Sequence, residues 1–105
     1  MVDWKKLGSN NKKRGKQEER NVLIPLMEHF FQPFHRNPDN GNQIADVESK
    51  DFVVEVKSKT TGTPAHLLKG WSQVSEAQKQ TGKEPYVVLS YVDKGKRVRW
   101  LVRKL

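Results

Sequence analysis

Three charged residues within one short stretch of the chain have the chemistry to act on a phosphodiester bond: Asp46, Glu55 and Lys57. Glu55 and Lys57 interrupt the run FVVEVKSK (52–59), whose valines and phenylalanine are typical of a buried strand. A charge on such a strand is unfavourable unless it is paired or used. Two neighbouring carboxylates suit a hard divalent cation, which prefers oxygen ligands. An adjacent ammonium could orient or deprotonate a water molecule that attacks phosphorus.

The positions of these side chains depend on how two predicted strands pair. Side chains alternate along a strand, so Glu55 and Lys57 share one face. The preceding run QIADV (43–47) predicts an antiparallel partner, joined by a two-residue turn within residues 49–51. Either register then places Asp46 diagonal to Glu55 or directly opposite it, on the same face. A three-residue link would turn Asp46 away, and a surface Glu/Lys pair on a one-sided sheet is the alternative interpretation.

Composition limits the classes of protein that fit. A chain of 105 residues is expected to form one domain. It has no cysteine, which excludes disulfides and thiolate metal sites. The sequence shows no membrane-helix run and no signal-peptide core, so we expect a cytoplasmic protein without a membrane partner. A net charge of +8 and a pI near 9.9 favour a polyanionic partner such as nucleic acid.

The chain divides into a basic arm and a single domain. Residues 1–14 predict a flexible arm and residues 15–105 the folded domain. The run 16–31 has helical spacing, and Pro25 should kink it. A second helix is expected over residues 64–81, closed by a glycine. The inward stripes are predicted to be Leu23, Leu26, Met27 and Phe30 in the first helix, and Leu67, Trp71 and Val74 in the second.

The remaining patterns predict strands. QPFHR (32–36) suggests a short edge strand before the two strands described above. YVVLSYV (86–92) and the final RVRWLVRKL (97–105) predict two more, joined by a hairpin turn at DKGK (93–96). The resulting order, α-β-β-β-α-β-β, predicts an α/β fold with a central mixed β-sheet flanked by helices.

At this point the motifs resemble a known family. ADV…VVEVKSK is similar to the core of the PD-(D/E)XK nuclease superfamily, with an Asp ending one strand and Glu-x-Lys on the next. Gly15, Glu19 and Arg20 resemble the first helix of the Holliday junction resolvases in this superfamily, where a Gly precedes Glu-Arg by four residues. Residues 70–91 resemble the helix and strand that follow the motif, especially in small phage-encoded members. The resemblance covers residues 15 to about 92.

The resemblance implies a restriction-endonuclease-like α-β-β-β-α-β core and a Mg²⁺-dependent endodeoxyribonuclease whose hydrolysis leaves a 5′-phosphate. Mn²⁺ is expected to substitute for Mg²⁺. The implied metal ligands are Asp46, Glu55, the Val56 carbonyl and, in an outer shell, Glu19. The implied catalytic residues are Asp46, Glu55, Lys57, Glu19 and Gln73. Gln78 is the rival of Gln73 for the glutamine that relatives carry near the scissile phosphate.

Helical spacing separates the two adjacent glutamates of the first helix. Glu19 continues the inward stripe, which favours a role at the metal or its water shell. Its alternative is an N-terminal charge favoured by the helix dipole. Glu18 instead lines up with Asn21, Pro25 and His29 on a face predicted to be wetter.

The sequence also departs from the family pattern. Ala45 precedes Asp46, so the literal Pro-Asp pair is missing there, although Pro38-Asp39 occurs seven residues earlier. We prefer Asp46, because it lies in a strand pattern beside Glu55. The resolvases carry a serine in a loop between the first strands, and the comparable NPDNGN (37–42) has none. True junction resolution is therefore one of several activities that fit.

The expected partner is DNA, with branched, Holliday junction-like DNA as the first choice and a homodimer as the expected state. Candidate DNA-binding residues are Lys12, Lys13, Arg14, Lys16, Arg20 and Lys59. Trp100 alternates with arginines on the last strand, either as a nucleic-acid face or as a solvated edge.

Three alternatives remain open at this stage. The first is a nicking or end-processing nuclease on duplex DNA. The second is a non-catalytic nucleic-acid-binding module on the same fold. The third is a subunit that cuts only with phage recombination or packaging proteins, in a bacterial or phage-infected cell.

Overall fold

The computed structural model describes residues 15–38, 44–58 and 64–105. The predicted arm (1–14), Asp39 and Lys59 lie outside these ranges. The described elements are helical residues 15–21 (α1), Leu23–Phe30 (α2), His35–Arg36 (β1), Val47–Glu48 (β2), Phe52–Ser58 (β3), Pro64–Thr81 (α3), Glu84–Asp93 (β4) and Lys96–Val102 (β5). Within them, no helix has the length and apolar character that crossing a bilayer requires.

The strands form one mixed sheet in the order β1-β2-β3-β4-β5. The pairs β1–β2, β2–β3 and β4–β5 are antiparallel, whereas β3 and β4 run parallel. A parallel pair needs a long crossover, and α3 supplies it while packing on both strands. The predicted α/β fold with a mixed sheet is confirmed. The first two strands are shorter than their sequence patterns suggested, with two residues each.

The predicted first helix is interrupted at Val22, which separates α1 from α2. Pro25 has no N–H to donate to the carbonyl of Asn21, so one helical hydrogen bond is lost in this turn. Hydrogen bonds from Val22 N–H to the Glu18 carbonyl and from Leu26 N–H to the Val22 carbonyl span the interruption, at 3.1 and 3.0 Å. The predicted distortion is therefore confirmed, and it lies just before the proline.

The buried stripe of this segment differs in one place from the prediction. Leu26 is buried, and Leu23 and Phe30 are half-buried against the core. Met27 keeps 42% of its surface exposed, so its assignment to the inward face was wrong. The stripe passes through Val22, four residues before Leu26, which places Met27 at its edge.

The sheet separates two cores. The buried residues on the α2 side are Val22, Leu26, Val47, Val54, Val56 and Val88. Those on the α3 side are Ala45, Val53, Val74, Ala77 and Val87, with Leu67 and Trp71 packed against them. The predicted alternation of β3 and the predicted stripe of α3 are both confirmed.

The turn between β2 and β3 sets the register of the two strands. Val47 pairs with Val54, and Ser49 N–H donates to the Phe52 carbonyl at 2.9 Å. This closes a two-residue turn at Lys50-Asp51, one of the two links that the sequence allowed.

A side chain from the end of α2 holds this turn in place. Gln32 Oε1 accepts a hydrogen bond from Ser49 Oγ at 2.6 Å, and Gln32 Nε2 donates to Asp51 Oδ2 at 3.0 Å. The Asp51 carbonyl accepts the N–H of Glu84 at 2.9 Å, which joins the same turn to the start of β4.

The predicted hairpin between β4 and β5 is also present. Lys94 and Gly95 both have positive φ, 50° and 77°, as a type I′ turn requires. Gly82, at the end of α3, has φ +72° and donates its N–H to the Gln78 carbonyl. The sequence had predicted this glycine as the C-cap of the helix.

Candidate active site

Asp46 lies beside Glu55, one residue before the start of β2. The register Val47↔Val54 and Glu48↔Val53, carried one residue further, sets Asp46 directly opposite Glu55. Asp46 Oδ2 also accepts the N–H of Val56 at 2.9 Å. The carboxylate therefore occupies a position on β3 where a further β2 carbonyl would otherwise bond.

The backbone around Asp46 is held from β1. Asn37 N–H donates to the Asp46 carbonyl at 3.0 Å, and Asn37 Nδ2 donates to the Ala45 carbonyl at 2.8 Å. The same Nδ2 lies 3.1 Å from Glu48 Oε1. Sequence reasoning missed Asn37, because its partners are brought to it only by strand pairing.

Glu55 is a buried carboxyl group beside a second one. It is 7% exposed. Burial, the charge of Asp46 and a hydrogen bond with Asp46 raise its pKa from 4.5 to about 9. The Lys57 ammonium opposes this rise, and the charge of Glu19 adds to it. The raised pKa favours the protonated form of the Glu55 carboxyl group at neutral pH when no metal is bound.

Lys57 lies on the same face of β3 and runs against α3. A Cβ added at Gly70 would lie 3.1 Å from Lys57 Cγ, 3.4 Å from Lys57 Cε and 3.1 Å from Val87 Cγ1. The glycine thus leaves the space in which the lysine stem passes the helix.

An open cleft of about 360 Å³ lies between the end of β2, β3 and α3. Its lining residues are Ile44, Asp46, Glu55, Gln73, Glu76, Ala77 and Gln80. The structure thus brings Gln73 to the same cleft as Asp46 and Glu55, whereas the rival Gln78 is not among the lining residues. Glu76 and Gln80 were missed. Their spacing of three and seven residues from Gln73 on one helix could have identified them.

Glu19 is buried as predicted and faces β1. Its Oε1 lies 3.6 Å from Arg36 Nε, and its charge acts on Glu55. Across the described ranges, no three His, Cys, Asp or Glu side chains converge as a site made only of side chains would require. The participation of Glu19 in metal binding stays a prediction.

The prediction that Glu18 lies on a wetter face of the first helix was wrong. The Glu18 side chain is only 3% exposed. Arg99 donates two hydrogen bonds to it, from Nε to Oε2 at 2.7 Å and from Nη2 to Oε1 at 2.8 Å. Ser90 Oγ also donates to Glu18 Oε2, and Arg97 Nη1 donates to Ser90 Oγ at 3.3 Å. Burial alone would raise the pKa of Glu18, but the hydrogen bonds from Arg99 and Ser90 outweigh it and the pKa is lowered.

The predicted DNA-binding residues separate by position. Lys16 and Arg20 are exposed on α1, whereas Lys12, Lys13, Arg14 and Lys59 fall outside the described ranges. On β5, Arg99 is engaged by Glu18, while Trp100 keeps 56% of its surface exposed.

The donor set of the cleft suits a hard divalent cation. Asp46 and Glu55 offer carboxylate oxygens. The N–H and C=O of a strand residue point to the same edge, so the Val56 carbonyl also faces the side of Asp46. Comparison with protein-family models, curated proteins and solved structures finds no match to this chain.

Proposed function

We propose that this protein is a metal-dependent DNA endonuclease of the PD-(D/E)XK type. The observation that carries the proposal is the opposed pair Asp46–Glu55 in an open cleft, with Lys57 two residues further along the same face of β3. The described elements also follow the α-β-β-β-α-β order that the resemblance implies, with β5 added at the edge.

The carboxylate pair is our reason for assigning a cation to this cleft. Two carboxyl groups side by side are unfavourable when both are ionised, and a divalent cation would offset that repulsion. Asp46, Glu55 and the Val56 carbonyl would hold Mg²⁺, with Mn²⁺ as the expected substitute. When bound, the cation would supply positive charge to the phosphate oxygens and lower the pKa of an attacking water.

The other residues act on the reacting groups. Lys57 would orient the water and stabilise the charge that develops on phosphate oxygens. Gln73, on the α3 wall of the cleft, would donate a hydrogen bond to the scissile phosphate. Hydrolysis adds water across one P–O bond and leaves a 5′-phosphate and a 3′-hydroxyl.

DNA is the proposed substrate because the chain is strongly basic overall while this cleft is acidic. Cations elsewhere, including exposed Lys16 and Arg20, would bind the phosphates that flank the cut. Branched DNA and a homodimer rest on the resemblance of α1 to junction resolvases. A cleavage panel of four-way junction, flap and linear duplex tests that preference, with sedimentation as the test of the dimer.

The decisive experiment compares Asp46→Asn, Glu55→Gln and Lys57→Met in a Mg²⁺-dependent nicking assay. Each should lower the cleavage rate by more than about 100-fold, the upper end of what loss of an outer-shell partner costs. DNA binding, measured by fluorescence anisotropy, should change little. Calorimetry should show weakened Mg²⁺ or Mn²⁺ binding in the two carboxylate variants and retained binding in Lys57→Met, because an ammonium is not a ligand.

Glu76→Gln is the matched control, since Glu76 lines the same cleft but belongs to α3. It should retain cleavage within a few-fold of the wild type. Wild-type cleavage by Glu55→Gln would end the assignment of this site.

A further inference from the structure

Trp100 lies in the same cross-strand row as Lys57. Lys57 pairs with Leu89 across the parallel β3–β4 ladder, and Leu89 pairs with Trp100 across the antiparallel β4–β5 ladder. The row crosses two strand spacings, so the two backbones are about 10 Å apart.

Trp100 also points to the same side of the sheet as Lys57. Its neighbour Leu101 packs into the core on the α2 side, so alternation directs Trp100 to the α3 side. Helix α3 packs on β3 and β4. On β5, Trp100 remains 56% exposed, which is unusual for so large an apolar surface.

The indole is held in a fixed position. Its Nε1–H donates to the hydroxyl of Tyr91 at 2.8 Å. The polar atom of the indole is thus satisfied within the protein, and the exposed remainder is a π surface.

The surroundings of this pair are cationic. The hairpin tip beyond it carries Lys94 and Lys96 against one carboxylate, Asp93. A basic rim is unfavourable for contact with a second copy of the same basic chain, and it complements a phosphate backbone.

From these observations we infer that Trp100, held by Tyr91, is a stacking platform for an unpaired nucleobase of the bound DNA, across α3 from the Asp46–Glu55 cleft. This inference rests on the proposed function, because it takes the partner to be the DNA substrate. Stacking needs an accessible base face, which a single strand, a flap or a branch point offers and an intact duplex does not. The preferred substrate is therefore DNA that carries unpaired nucleotides.

Binding measured in EDTA, without cleavage, tests the inference. The probes are oligodeoxythymidylate, a blunt duplex, and the same duplex with a single-stranded flap. Trp100→Ala should weaken binding of the single strand and the flap by roughly 5- to 150-fold, the equivalent of one stacked base. Binding of the blunt duplex should change less than about twofold by the same reasoning.

The conservative variant and a matched control separate stacking from loss of apolar surface. Trp100→Phe should retain most of the affinity for single strands, because a phenyl ring still stacks. Oligodeoxythymidylate is expected to quench the fluorescence of the Trp100 indole in the wild type, and Trp100→Phe should lose that part of the quenching. Leu68→Ala removes another exposed apolar side chain, on α3 and 70% exposed, and should bind all three probes as the wild type does.

Several outcomes would overturn the inference. Unchanged single-strand binding by Trp100→Ala would do so, as would an equal loss on single strand and duplex. A wild-type dimer that Trp100→Ala converts to monomer would identify the indole as a protein contact instead. Failure of the nuclease site itself would appear separately, as cleavage that survives Glu55→Gln while the stacking signal stays intact.

Discussion

Two glutamates buried at similar depth, Glu18 and Glu55, meet opposite surroundings in this protein. Glu18 accepts hydrogen bonds from Nε and Nη2 of Arg99 and from the Ser90 hydroxyl, and its pKa is lowered despite burial. Burial and the adjacent Asp46 raise the pKa of Glu55 to about 9.

The difference distinguishes an ion pair that stabilises the fold from a carboxyl pair that forms a candidate site. The Glu18–Arg99 pair links α1 to β5 with geometrically specific hydrogen bonds and satisfies the charge it buries. The Asp46–Glu55 pair places a half-buried and a buried group of the same sign side by side, which favours folding only when a proton or a cation stands between them. A strongly perturbed carboxyl group in a cleft is the pattern expected of a functional site.

The largest expected effect is on the free energy of unfolding, which two matched substitutions should change in different ways. Glu18→Gln should destabilise the metal-free protein by about 2–3 kcal/mol, because it leaves Arg99 without its countercharge. This is below the range for fully buried pairs, since one third of the Arg99 side chain is exposed. Glu55→Gln should instead stabilise the metal-free protein at neutral pH, since the amide can donate to Asp46 as the protonated carboxyl does but needs no proton uptake.

Urea denaturation in EDTA at neutral pH measures both values. Similar losses in the two variants would show that Glu55 is held as a structural ion pair like Glu18, and the contrast would be lost.

The pH dependence of stability should show the same contrast. Because the pKa of Glu55 is raised from 4.5 to about 9, the folded metal-free protein binds the extra proton between these values. Its unfolding free energy should therefore fall as pH rises across this window, and Glu55→Gln should flatten that decline. The pKa of Glu18 is lowered, so its stabilising contribution should be fully present above pH 4.5. That contribution should be lost as the pH falls through the pKa of Glu18 in the folded protein.

Unfolding free energies measured over pH in EDTA test both limbs. An alkaline decline that is equally steep in the wild type and in Glu55→Gln would show that another group titrates there.

The smallest expected effect sharpens the role of Lys57 beside Glu55. In Gly70→Ala, the added methyl group meets Lys57 and Val87 at 3.1 Å, so the lysine stem must shift by a few tenths of an ångström. Stability should change by less than about 1 kcal/mol, because the gain in helix propensity offsets the tight contacts. The cleavage rate should nonetheless fall a few-fold while DNA affinity holds. Ser72→Ala, at an exposed position of the same helix, is the control.

Local sequence patterns correctly predicted the parts of this molecule that depend on side-chain alternation and turn length over a few residues. The alternation of β3 assigned Glu55 and Lys57 to one face, and a two-residue turn was enough to bring Asp46 opposite. Helix α3 was placed with its bounds, because one stripe and a glycine cap define it.

The errors arose where one segment was treated as a single helix. The predicted stripe left out Val22, at which the helix is interrupted, so Met27 was placed inside and Glu18 outside. Glu18 finds Arg99 across 81 positions of sequence. A partner so distant leaves no local signal, and the position of Asn37 behind Asp46 was invisible for the same reason.

The hydrogen bond from Val56 N–H to Asp46 Oδ2 has a consequence for the evolution of this chain. A descendant that lost catalysis would still need an acceptor at position 46, because a buried N–H without a partner is unfavourable. The side chain at position 55 accepts no backbone N–H within the described ranges, and burial would favour its replacement by an apolar residue. Among relatives, an acidic residue or its amide at the first position would therefore persist in inactive lineages. Retention of the glutamate at position 55 would be the better sign that a lineage is still under selection for activity.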